Sequence, residues 1–126
     1  MTDNPLPNIL IVEDEPLLAY MLEELLTEEG FKIAGVATRL EMALTMIAAG
    51  GCDAAILDAN LAGVSAAPAA AALTARGVPF LVLSGYSPDQ QKDAFPGVPL
   101  LQKPCRPNTL IQALNDILQA APAPGQ

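Results

Sequence analysis

The chain is 126 residues long, 52% hydrophobic and 16% charged, with 14 acidic side chains against 6 basic ones and neither histidine nor tryptophan. That length suits one domain with an aliphatic core of its own and argues against a multidomain enzyme. The formal charge of −8 argues against sequence-independent binding to nucleic acid or anionic lipid, and the missing histidine excludes a histidine triad, a His-ligated zinc and a phosphohistidine on the chain itself.

Residues 1–7, with Pro5 and Pro7, read as a flexible lead-in. Asn8 to Val12 is a short apolar run that reads as a strand buried on both faces, as in a parallel sheet. Glu13, Asp14 and Glu15 follow, and Pro16 suits the first turn of a helix. Leu17, Leu18, Met21, Leu22, Leu25 and Leu26 give that helix an apolar period near 3.6, and Gly30 ends it. Phe31 to Val36 reads as a second strand. Thr38 and Glu41 have capping-box spacing for a second helix, with Leu40, Ala43, Leu44 and Ile47 facing inward.

Gly50-Gly51 stops that helix. Ala54 to Leu57 is a third buried strand, ending at Asp58. A loop from Asn60 to Val64 leads to an alanine-rich helix from about Ser65 to Arg76. Pro79 to Leu83 is a fourth strand, ending at Ser84-Gly85. Between Tyr86 and Val98 the prolines leave room for at most a short helix, about Pro88 to Ala94. Pro99 to Gln102 is a fifth strand, ending at Lys103-Pro104. Pro107 opens a last helix with Leu110, Ile111, Leu114, Ile117 and Leu118 inward. Residues 120–126 read as a disordered tail.

Cys52 and Cys105 stand far apart, in neither a disulfide framework nor a CxxC site, and are expected as free thiols in a reducing cytoplasm. No positive n-region precedes Lys32, so no signal peptide is expected. The charge-free run Ala59 to Ala75 is too rich in alanine, Asn60, Gly63, Ser65 and Pro68 to span a membrane.

Strands and helices alternate five times. Right-handed crossovers then give an α/β fold, a flavodoxin-like, doubly wound five-stranded parallel sheet of order 2-1-3-4-5, with a short or irregular fourth helix. Such a sheet binds ligands beyond the carboxyl ends of its strands. Those ends carry Glu13 and Asp14, Asp58, Ser84 and Lys103 in turn. Three converging carboxylates repel one another unless one is protonated or a cation enters. Hard oxygen ligands suit Mg²⁺. A hydroxyl and an ammonium beside them suit a phosphoryl group, and an aspartate can be the nucleophile. Taken singly, the acidic pair could merely favour the helix dipole, Asp58 and Ser84 could serve turns, and Lys103 could be a solvated charge. Asp58 to Gly63 begins like a calcium loop, but Ala62 and Ala69 occupy ligand positions, and no nucleotide-binding glycine motif is present.

This ordered set resembles the receiver domain of bacterial two-component response regulators, over nearly all of Asn8 to Leu118, with the domain drawn at 8–119. The resemblance implies Asp58 as phosphoacceptor and Mg²⁺ held by Glu13, Asp14, Asp58 and the backbone carbonyl of Asn60. It implies phosphoryl contacts from Ser84 and Lys103, a cis Lys103-Pro104 bond, and a switch or partner surface that includes Gly85, Tyr86, Leu100 and Pro104. The donor would be a sensor histidine kinase or a histidine phosphotransfer protein, and the output a downstream protein contact or a phosphorelay, since no output domain is expected. Pro79-Phe80 with Ser84-Gly85-Tyr86 is similar to the PFxFATGY signature of the FAT GUY subgroup, which implies kinases of the HWE or HisKA2 type. Val82, Leu83 and Ser84 depart from that signature. Leu100 stands where ordinary receivers place a switching aromatic, leaving Tyr86 as the nearest substitute or as plain packing. Two other readings are a small Mg²⁺-dependent phosphatase with an aspartyl nucleophile, which lacks a second carboxylate two residues after Asp58, and a pseudo-receiver that only binds partners.

Overall fold

The computed structural model describes residues 6–85 and 95–120. Its main sheet is five-stranded, all parallel, with strands β1 (Asn8–Val12), β2 (Lys32–Ala37), β3 (Ala54–Asp58), β6 (Phe80–Ser84) and β7 (Leu100–Gln102) in the order β2-β1-β3-β6-β7. This is the 2-1-3-4-5 order expected of a flavodoxin-like sheet. Between β3 and β6, β4 (Asn60–Leu61) and β5 (Val64–Ser65) form a small antiparallel pair. The helices are α1 (Pro16–Glu28), α2 (Leu40–Ala49), α3 (Ala67–Ala75) and α4 (Pro107–Ala120).

β3 and β6 are buried at every position, which is why they read as unbroken apolar runs rather than alternating ones. Side chains alternate across the sheet and build two cores. Leu10, Val12, Leu57 and Val82 face α2 and α3 with Ile47 and Leu73. Ile9, Ile11, Ile56 and Leu81 face α1 and α4 with Leu26 and Leu114.

Two helices end in one way. Gly30 (φ +92°) and Gly77 (φ +71°) take the left-handed conformation that glycine adopts without steric cost. The N–H groups of Gly30 and Phe31 bond the carbonyls of Thr27 and Leu26, and those of Gly77 and Val78 bond Thr74 and Leu73. These are Schellman motifs, and each aims the chain into the next strand.

Several local expectations need correction. The capping box at Thr38 does not form: α2 begins one residue later, with Arg39 at the N-cap and no side-chain cap, and the Thr38 hydroxyl instead donates to Met42 Sδ at 3.5 Å. The second strand runs to Ala37. The third helix starts at Ala67 because Val64–Ser65 is taken up by β5. In α1 the buried residues are Ala19, Leu22 and Leu26, whereas Leu17 and Met21 face outward. Ala120, placed in the tail by sequence, belongs to α4. The short helix expected at Pro88 to Ala94, Tyr86, the tail from Ala121 and the lead-in before Leu6 lie outside the described residues. Among the described residues no helix is long and apolar enough to cross a membrane, and Cys52 and Cys105 are both free thiols.

Candidate functional site

Among the described residues the buried polar or charged side chains are Glu13, Asp58 and Ser84. All three stand at the carboxyl ends of strands. The backbone ladder holds them there by running one step past the apolar residues. Glu13 N–H bonds Ala37 O at 2.9 Å, Ala59 N–H bonds Leu83 O at 2.8 Å, and Lys103 N–H bonds Ser84 O at 2.7 Å. Neighbouring strand ends are therefore in register, and their side chains converge.

Glu13 is 1% exposed. Its Oε2 accepts the Glu15 N–H at 3.1 Å, and its Oε1 pairs with Lys103 Nζ at 3.3 Å. Asp58 is held in the same manner. Its Oδ1 accepts the Asn60 N–H at 3.3 Å, and its Oδ2 pairs with Lys103 Nζ at 3.1 Å. One ammonium thus bridges two buried carboxylates, and neither carboxylate plane is free to turn. Asp14 is partly exposed. It brings a third carboxylate, so that one oxygen from each of Glu13, Asp14 and Asp58 lies within 4.8 Å of the other two.

The electrostatics follow from burial. Removal from water raises the Glu13 carboxyl to about 7, and the Asp58 charge adds to this against the pull of the Glu15 N–H and Lys103. Burial also raises Asp58, with Lys103 and the Asn60 N–H opposing. For Lys103 burial works against the charge, but its two carboxylate partners outweigh it and hold the ammonium above its ordinary range. Three acids facing one lysine leave an excess of negative charge. Three hard oxygen donors this close fit a small divalent cation such as Mg²⁺, which would relieve that excess.

The β4–β5 pair was not foreseen from the sequence, and it holds the loop after Asp58. Asn60 Oδ1 accepts the Gly63 N–H at 2.7 Å, Leu61 is buried, and the turn between the strands has positive φ at Ala62 (54°) and Gly63 (89°), a primed hairpin turn. The available signal was Gly63, six residues after Leu57, the last apolar position of β3.

The remaining expected residues are more peripheral. Gly85 is exposed just after β6, and Pro104 is exposed after a cis peptide bond from Lys103. Leu100 pairs with Val82 and is half-buried against the α2–α3 core.

Known proteins share this fold. The solution structure of SdrG from Sphingomonas melonis Fr1 is 43% identical over 90% of this chain and 97% of its own, with a TM-score of 0.78. The receiver domain of the PhyR response regulator from Erythrobacter litoralis is 28% identical over 96% of both chains, with a TM-score of 0.83. A response regulator receiver protein from Sinorhizobium medicae WSM419, at 24% identity, shares the fold over 93% of this chain and 98% of its own with a TM-score of 0.84. No curated protein matches the chain. Residues 9–115 match the family model described as the response regulator receiver domain, and the chain belongs to that family.

Proposed function

We propose that the chain accepts a phosphoryl group on Asp58 from a phosphohistidine of a sensor histidine kinase or a phosphotransfer protein. The observation that carries this reading is the Asp58 carboxylate itself. It is buried at a strand end and engaged at both oxygens, with Lys103 at 3.1 Å and two further carboxylates beside it. An Asp58 oxygen attacks phosphorus, a P–O bond forms, the P–N bond breaks, and the donor imidazole leaves with the electron pair and takes up a proton from solvent. Lys103 neutralises a phosphoryl oxygen and the Ser84 hydroxyl donates to another. Mg²⁺, held by Glu13, Asp14, Asp58 and the Asn60 carbonyl, would supply the positive charge that the transferring oxygens need.

The output is a change in protein contact or onward phosphotransfer, at the surface that includes Gly85, Tyr86, Leu100 and Pro104. Leu100 in place of an aromatic supports a switch other than the usual inward swing. The Pro79-Phe80 and Ser84-Gly85-Tyr86 runs support membership of the FAT GUY subgroup, and with it donors of the HWE or HisKA2 type and a cytoplasmic setting.

Incubation with acetyl phosphate or phosphoramidate and Mg²⁺ tests the core of this reading. Intact-protein mass spectrometry is expected to show one added phosphoryl group, stable in acid and released by hydroxylamine, and none in Asp58→Ala. A shift that persists in Asp58→Ala, or none in the parent chain, overturns it.

A further inference from the structure

The sheet has a second end. Opposite the acidic site, where β6 and β7 begin, the described residues leave an open cleft of about 540 Å³. Its walls are Val78, Pro79 and Phe80 entering β6, Val98 and Pro99 entering β7, and Ile117 from the last turn of α4. The fold fixes these walls. Val78 N–H bonds Leu73 O at 3.0 Å, while Pro79 O accepts the Ala55 N–H at 3.1 Å and Pro99 O the Val82 N–H at 3.0 Å. Phe80 and Ile117 are buried, and Val78 and Val98 are half-buried. A preformed apolar cleft needs little reorganisation to receive an occupant.

The cleft lacks what a small polar ligand requires. Sites for such molecules combine apolar walls with converging polar groups. Here the polar side chains on the wall are Thr74 and Asp116. Both are exposed, and Asp116 Oδ1 already accepts from Gln112 Nε2 at 3.0 Å. Asp116, in a chain of net charge −8, also disfavours an acidic occupant. The occupant that fits is uncharged, apolar and sparing of N–H donors.

Such a segment starts at the cleft itself. Ala120, the last residue of α4, lines it, and the chain continues as Ala121-Pro122-Ala123-Pro124-Gly125-Gln126, without a charged side chain. Pro122 and Pro124 have no N–H to leave unpaired, and their rings restrict φ. That favours the polyproline II conformation, which apolar, aromatic-lined grooves recognise at low entropic cost. At about 3.1 Å per residue, residues 121–124 reach about 12 Å beyond Ala120. Direct attachment raises the effective concentration to about the millimolar range, so contacts too weak to capture a free peptide still fill the cleft.

We infer that Ala121 to Pro124 fold back into this cleft, with the two proline rings packed on Phe80, Val98 and Ile117. The chain thereby covers its own apolar face at the end remote from Asp58. The inference goes beyond the phosphoacceptor reading and stands without it.

NMR on the full chain tests this. Nuclear Overhauser effects are expected from the Pro122 and Pro124 rings to the Phe80 ring and to the Val98 and Ile117 methyl groups. In Pro122→Asp/Pro124→Asp, which alters no residue of the described core, these contacts are expected to vanish and the amides of Val78, Phe80, Val98 and Ile117 to shift. A synthetic APAPGQ peptide is expected to reverse those shifts in the variant, at a concentration about tenfold or more below any effect on the parent chain. Absence of the contacts, shifts confined to residues 118–120, or equal peptide binding by parent and variant would overturn the proposal. So would a parent chain that sediments as a dimer with these contacts arising between molecules, which would assign the cleft to a second copy. Acetyl phosphate labelling of Asp58 is expected to be unchanged in the variant, and its loss in the parent chain would count against the phosphoacceptor reading alone.

Discussion

Lys103 is the residue on which the site balances. Its ammonium is shared between Glu13 and Asp58 and is 26% exposed, so the pair is largely but not fully withdrawn from water. Breaking a buried ion pair from one side leaves the other charge uncompensated, which costs more than the pair itself contributes. In EDTA, Lys103→Met is expected to lower unfolding free energy by about 2 kcal/mol, below the fully buried range because of that exposure. Asp58→Asn keeps the shape, removes one of three clustered negative charges, and is expected to leave stability equal or higher. Urea melts of the two variants check this, and equal destabilisation by both would refute the account. The identities of these residues were legible because each follows an apolar strand directly. Their division of labour was not. Glu13 and Asp14 are adjacent in sequence, but neighbours in extended chain point to opposite sides, so one is sealed at the lysine and the other stays half in solvent. The apolar spacing of α1 likewise marked Leu17 and Met21 without saying which stripe the sheet would cover.

Elements were legible where local chemistry and burial agreed, and missed where they did not. The Schellman glycines 30 and 77 mark their helix ends plainly. The capping-box spacing at Thr38 competed with one more residue of β2 pairing, since Ala37 bonds opposite Val12, and the strand prevailed. The β4–β5 hairpin was hidden because its turn is Ala-Gly rather than Asn-Gly, so the usual signal is absent. That choice carries strain: Ala62 sits at φ +54°, a region L-residues with a Cβ disfavour. Ala62→Asn, which tolerates this conformation, is expected to raise stability by about 0.5–1 kcal/mol. Gly63→Ala, at φ +89°, is expected to lower it by about 1 kcal/mol or more. Thermal melts of both variants decide the point; a destabilised Ala62→Asn would mean that the methyl group is required for a reason other than backbone geometry. The hairpin holds Asn60, whose N–H fixes one oxygen of Asp58, so Gly63→Ala is also expected to slow labelling of Asp58 by acetyl phosphate.

At the scale of the molecule, sheet order followed from the alternation of strands and helices, because right-handed crossovers leave few ways to lay five parallel strands. The placement of charge followed less directly. A net charge of −8 reads as a general property of the surface, yet two of the acids that compose it are buried at the ends of central strands. Cations can thus stabilise the chain by two routes, diffuse screening of the whole surface and occupation of one site, and the routes separate experimentally. Screening depends on ionic strength and is nearly indifferent to which salt supplies it. Site binding acts by mass action, adding about 1.4 kcal/mol at ten times Kd, or roughly 3–8 °C in Tm for a domain of this size. Millimolar Mg²⁺ is therefore expected to raise Tm well above a NaCl control of equal ionic strength, and Asp14→Ala, whose partly exposed side chain carries little of the fold, is expected to abolish the excess while leaving the NaCl response intact. An Mg²⁺ effect no larger than the NaCl effect, or one that survives Asp14→Ala unchanged, would assign the stabilisation to the surface as a whole and remove the metal from the strand ends.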